Sequence, residues 1–163
     1  MIRLFNLTFL VFLFLITKAN SLIEIDITRG NLDPLPIAVS PLFQSDISKK
    51  NSINELKLEN VGSEISSVVE NNLKTSGLFN PLSKKAFLQK PDIAHLKPRF
   101  EDWALIKAQA LITGKVTIEN KKLKVEFRLW DILAGREMMA LAFTTVPSNW
   151  RRVGHIISDK VYE

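Results

Sequence analysis

His95 and His155 are the only histidines in this 163-residue chain, and there is no cysteine. Those two counts limit the chemistry that any site can perform. Without thiols there is no disulfide, no thiolate nucleophile and no thiolate metal site. His95 stands in a segment flanked by Pro91 and Pro98, with Asp92 close by. A metal there would need ligands from distant parts of the chain, and nothing in the spacing resembles a zinc pattern. His155 is four residues from both Arg151 and Asp159, which puts all three on one edge of a helix and reads as a solvated polar face. Asp131 precedes Ile132, Leu133, Ala134 and Gly135 and reads as the first residue of a turn. No glycine-rich phosphate loop, Ser-His-Asp set or paired carboxylates are visible. The chain is therefore expected to be no enzyme, with no metal and no cofactor.

Binding is the remaining kind of chemistry. Lys124, Glu126, Arg128 and Trp130 alternate with Leu123, Val125, Phe127 and Leu129, so the two sets occupy opposite faces of one strand. A tryptophan beside charges at a strand end is either amphipathic cover or part of a docking surface, since Trp and Arg are enriched in interface cores. The formal charge of +5 is carried by scattered pairs, Lys49–Lys50, Lys84–Lys85, Lys121–Lys122 and Arg151–Arg152. No basic stripe forms, and a nucleic-acid surface is not expected.

The elements that would position these residues follow from periodicity. Arg3 leads an apolar run from Leu4 to Ile16, followed by small and polar residues through Ser21. That is the layout of a cleavable signal peptide, residues 1–21, with cleavage after Ala19 or Ser21. The run is shorter than the roughly 20 residues a spanning helix needs. Ile23, Ile25 and Ile27 then alternate with Glu24, Asp26 and Thr28, the period of a half-buried strand. Leu35 to Phe43 reads as a second, central strand, with Pro36 and Pro41 at strand ends or a bulge. Gln44 to Asn60 is polar and reads as a loop.

Val61, Ile65, Val68, Val69 and Leu73 share one helical face, with Asn60 or Ser63 as N-cap. Gly77 suits the left-handed end of that helix, and Leu78 the accompanying apolar contact. Phe79 to Leu82 is extended, Pro91 and Pro98 bracket a loop, and Phe100 to Lys107 allows a turn or two of helix with Trp103 and Ile106 inward. From Ala110 the period becomes two, giving a three-stranded meander with connections at Glu119–Lys122 and Ala134–Gly135. Trp150, Val153, Ile157 and Val161 mark a second main helix, whose period still runs at Glu163; a longer architecture is the expectation. The order β-β-α-β-β-β-β-α predicts an α+β domain over 22–163, a mixed β-sheet with both main helices on one face. The other face is left to solvent or a neighbour.

Four stretches, taken in order, resemble a known family: Leu22 to Gly30, Leu73 to Leu82, Arg128 to Asp131 with Gly135, and Trp150 to Glu163. They resemble the amino-terminal domain of TolB, the periplasmic component of the Tol–Pal system of Gram-negative envelopes. The resemblance implies a mixed sheet with two helices, truncated here before the family's final strand. It also implies a periplasmic adaptor for outer-membrane integrity and for invagination during cell division. In the family a propeller that binds Pal follows this domain; the chain stops before it, so Pal binding does not carry over. The family's mature amino-terminal segment contacts the inner-membrane-anchored protein TolA. It maps onto Leu22, Ile23, Glu24, Ile25, Asp26, Ile27, Thr28 and Arg29. An alternating strand near a free terminus can add to a partner's open sheet edge; its alternative is an ordinary edge strand. Two other readings stand beside the adaptor: a remnant of a split gene lacking the propeller, and a small periplasmic hydrolase using one of the histidines.

Overall fold

The longest alternating stretch of the chain, Ala110 to Thr145, folds as an antiparallel meander in a computed structural model that describes residues 33–163. Its strands are β4 (Ala110–Glu119), β5 (Lys122–Asp131) and β6 (Arg136–Thr145). Asn120 and Lys121 join β4 to β5 with φ of 50° and 59°, the two left-handed residues that match the twist of a tight hairpin. At the next connection Asp131 accepts from the Ala134 N–H at 2.8 Å, and Gly135 supplies φ of 63°.

Three shorter strands complete the sheet: β1 (Leu35–Val39), β2 (Phe43–Gln44) and β3 (Phe79–Pro81). The order is β3-β1-β4-β5-β6, with β1 parallel to both neighbours and β2 paired farther along β4. The sheet of six strands is mixed, and the fold is α+β. The expected strand over Leu35 to Phe43 is thus one run along β4 with a break. Pro41 cannot donate to the ladder. Ser40 still bonds the Ile112 carbonyl at 3.0 Å, but the Leu42 N–H turns to the Ser66 hydroxyl at 3.0 Å.

The main helices are α2 (Val61–Thr75) and α5 (Trp150–Tyr162). Asn60 caps α2 by accepting from the Ser63 N–H at 3.0 Å. Val61, Ile65, Val69 and Leu73 of α2 meet Val153 and Ile157 of α5 over Ile37, Ile112, Val116, Val125 and Phe127. Both helices therefore lie on one face, as the apolar spacing requires. Gly154 allows the close approach: a Cβ there would sit 2.8 Å from Val68 Cγ1. Gly77 follows α2 with φ of 74°, and Leu78 after it is 57% exposed.

Two expectations are corrected. Gln44 to Asn60 is not a loop: it holds α1 (Asp46–Leu56), capped by Ser45. Its inward residues are Ser48 and Ser52, so no apolar stripe marks it. Polar bonds hold it instead: Asn51 donates to the Ile118 carbonyl at 2.7 Å, the Ile118 N–H donates to Ser48 at 3.3 Å, and Ser52 donates to the Leu58 carbonyl at 2.8 Å.

The second correction concerns the sheet face opposite α2 and α5, which is not left open along its whole length. The segment between β3 and β4 crosses it and contains α3 (Pro91–Ala94) and α4 (Phe100–Leu105). Trp103 is buried there with Ala38, Leu111 and Trp130, and Ile106 packs against the same cluster.

Candidate partner interface

The segment expected to bind a partner, Leu22 to Arg29, and the apolar run before it lie outside the described residues. The other singled-out residues are placed as follows. His95 ends α3, half-buried, stacked on Phe43 with ring centroids 4.4 Å apart. Its Nδ1 lies 2.9 Å from the Pro91 carbonyl, a geometry in which the ring N–H donates. Asp92 is exposed. His155 is exposed on α5, where its Nδ1 accepts from the Asn72 amide at 2.9 Å. Asn72 also donates to Ser158 at 3.0 Å, so His155 belongs to a polar seam between α2 and α5. Among the described residues no three His, Cys, Asp or Glu side chains converge to hold a metal.

Trp130 does not offer a docking surface. It is 7% exposed, donates its indole N–H to Thr113 at 2.8 Å, and meets Phe100 edge-on. The charged residues that alternate with the core behave differently. Lys124 pairs with Glu126 at 2.8 Å, and Arg128 with Glu137 at 3.0 Å. The hydrogen bond from Lys124 holds the Glu126 carboxyl below its ordinary 4.5, helped by the charges of Lys124, Lys115 and Arg128. Arg128 also donates to the His95 carbonyl at 3.1 Å, tying the α3 turn to β5. This part of the face is charged and partly exposed.

Sequence reasoning missed two features. Gln89, 4% exposed, accepts from the Trp103 indole at 2.8 Å and the Arg99 N–H at 2.9 Å. A glutamine between Pro81 and Pro91 carries no periodic signal, so only the folded chain reveals this clasp. The second is an apolar recess of about 340 Å³ at the start of β1, lined by Leu35, Phe79, Leu129, Leu133, Met138 and Val161 among others. Leu133, in the β5–β6 connection, and Met138, near the start of β6, are 76% and 59% exposed. Among the described residues no helix is long and apolar enough to cross a membrane.

Comparison with known proteins agrees with this architecture. Residues 23–138 match the family of the TolB amino-terminal domain. The chain is 72% identical over 155 residues to the Tol-Pal system protein TolB of Pelagibacter ubique (strain HTCC1062), an alignment covering 95% of this chain and 35% of that protein. It thus spans little more than a third of that relative's length. The crystal structure of TolB from Acinetobacter baumannii superposes with a TM-score of 0.62 at 19% identity, over 80% of this chain and 28% of that one. Lipoprotein GNA1162 from Neisseria meningitidis gives 0.51 at 18% identity, over 79% of this chain and 95% of that one. At those identities the two structures speak to the fold alone. The matched span covers most of the described sheet and the helix α2, and with it the chain belongs to the TolB amino-terminal domain family.

Proposed function

We propose that this chain is a non-enzymatic adaptor of the Tol–Pal system, working in the periplasm in outer-membrane integrity and in invagination during division. Residues 1–21 serve as a cleavable signal peptide, and residues 22–163 are the working domain. Its contact is a TolA-like, inner-membrane-anchored protein, reached through Leu22, Ile23, Glu24, Ile25, Asp26, Ile27, Thr28 and Arg29. No contact with Pal is assigned to these residues. The observation that carries the reading is family membership, with the match beginning at residue 23, inside the alternating segment.

The physical basis is strand addition. A segment that alternates Ile with Glu, Asp and Thr has one apolar face to lay against a partner sheet and one polar face for water. Main-chain bonds supply affinity, and the three isoleucines supply register. Among the described residues His95 bonds the Pro91 carbonyl and His155 accepts from the Asn72 amide.

Single substitutions Ile23→Ser, Ile25→Ser and Ile27→Ser, each in the full chain, test this against the carboxy-terminal domain of the TolA-like protein. Each removes an apolar side chain worth about 1.5–3 kcal/mol when fully buried, so each should weaken binding by roughly tenfold or more. Glu24→Gln should change it little. Equal effects at Ile25 and Glu24 would show that the segment does not bind as a strand.

A further inference from the structure

We propose that the segment from Ser83 to Ala108 is a strap that opens as one unit, latched by Trp103 on Gln89, while the sheet and the layer of α2 and α5 stay folded. This goes beyond the adaptor reading and does not depend on it.

The sheet holds both ends of the strap without help from its middle. Leu82 donates to the Ile37 carbonyl and Gln109 to the Pro36 carbonyl, each at 2.9 Å. β3 and β4 flank β1, so the strap leaves and rejoins the sheet roughly 10 Å apart. Everything between those points can leave the sheet face without breaking a strand pair.

Two separate cores make such an opening local. The layer of α2 and α5 packs on Ile37, Ile112, Val125 and Phe127. The strap packs instead on Ala38, Leu111, Trp130 and Ile132. Of its own side chains only Ala94, Trp103 and Ala108 are fully buried in that cluster, while Phe87, Phe100 and Ile106 are part-exposed. Trp103 is the one large residue of the three. Leu88, Ile93, Leu96 and Leu105 are each more than half exposed, so the strap keeps them in water even when closed.

The backbone of the strap adds little to hold it shut. α3 has four residues and α4 six, and neither has a side-chain bond at its N-cap; helices so short gain little on their own. The latch itself is imperfect. The Trp103 indole and the Arg99 N–H both donate to Gln89 Oε1, which fixes the amide. Gln89 Nε2 is then buried with no partner among the described residues, and such a donor is penalised while the strap is closed and hydrated when it opens. Beyond the latch the ties are part-exposed: Arg128 to the His95 carbonyl at 3.1 Å, Lys84 to Glu70 at 2.9 Å, and the stack of His95 on Phe43. Opening uncovers one sheet face, at Ala38, Leu111 and Trp130, and leaves the other covered.

Native-state hydrogen exchange of the full chain, under conditions where exchange follows the opening equilibrium, tests this. The Ala94 and Ala108 amides bond to the Lys90 and Trp103 carbonyls at 3.0 and 3.1 Å. After correction for intrinsic rates they should exchange at least about tenfold faster than the Val125 and Phe127 amides of β5, which lies between β4 and β6. Two variants separate opening of the strap from unfolding of the whole. Ile157→Val, in the layer under α5, should speed β5 exchange roughly fivefold and leave Ala94 and Ala108 unchanged. Trp103→Phe should speed both sets by one common factor, between about twofold and tenfold. Equal protection of the two sets in the native chain, an Ile157→Val effect of equal size on both, or a Trp103→Phe effect that spares Ala94 and Ala108 would each overturn the proposal.

Discussion

Ser66 repairs a break that Pro41 opens in the first strand of the sheet. Its hydroxyl takes the Leu42 N–H and lies within 3.0 Å of the Ser40 carbonyl and 2.9 Å of the Gly62 carbonyl. Ser66→Ala leaves a buried N–H without a partner, and such a group costs about 1–3 kcal/mol; chemical denaturation should show a loss of that size with an unchanged m-value. Gly62 sits against the same break. A Cβ there would fall 2.2 Å from the Leu42 carbonyl oxygen, and backbone cannot yield as a side chain can. Gly62→Ala should destabilise by about 1–3 kcal/mol, although alanine is the better helix former. Trp103→Phe keeps an apolar ring and leaves the Gln89 oxygen with the Arg99 N–H alone, so the lost hydrogen bond should cost about 0.5–1.5 kcal/mol. None of these roles is visible in one dimension. Pro41 announces a break, but the residue that repairs it is 24 positions away from Leu42.

The elements differ in how openly the sequence declares them. The meander and the helices α2 and α5 are legible because apolar side chains repeat at periods of two and 3.6 and bury against one another. The helix α1 is illegible for the opposite reason: serines face inward and hydrogen bonds take the place of apolar contact. The segment from Leu82 to Lys107 carries a second small core on Trp103 and Trp130, spread over turns too short to show a period. Trp130 looked like a surface residue because it alternates with charges; its burial depends on α4, which arrives from elsewhere in the chain. The cap at Asn60 is legible and testable. Asn60→Ala removes the acceptor for the Ser63 N–H and should cost about 1 kcal/mol, while thermal unfolding stays a single transition.

At the scale of the whole molecule, one carboxylate on the charged half of the sheet contributes to how stability responds to acid. Glu126 is held below its ordinary 4.5 by the Lys124 hydrogen bond first, with the nearby positive charges adding to it. A carboxylate whose pKa is lower folded than unfolded contributes stability that is present above the unfolded value and lost as pH falls through the folded one. Stability should therefore decline below about pH 4.5, and Glu126→Gln should flatten that limb while changing little at pH 7. The pair is mostly solvated, so the effect is small and shrinks with added salt.

The fold class was readable in advance, because it rests on local pattern and residue type. The apolar recess at the start of β1 was not, since its lining comes from strands and a helix far apart in the chain. The central claim is that the chain binds through its alternating amino-terminal segment rather than through the folded sheet. Calorimetric titration of the full chain, with and without Leu22 to Arg29, into the carboxy-terminal domain of the TolA-like protein measures this directly. Saturable binding by the intact chain, and none by the deleted chain with its melting temperature preserved, is the predicted result. Equal affinity for the two chains would contradict it.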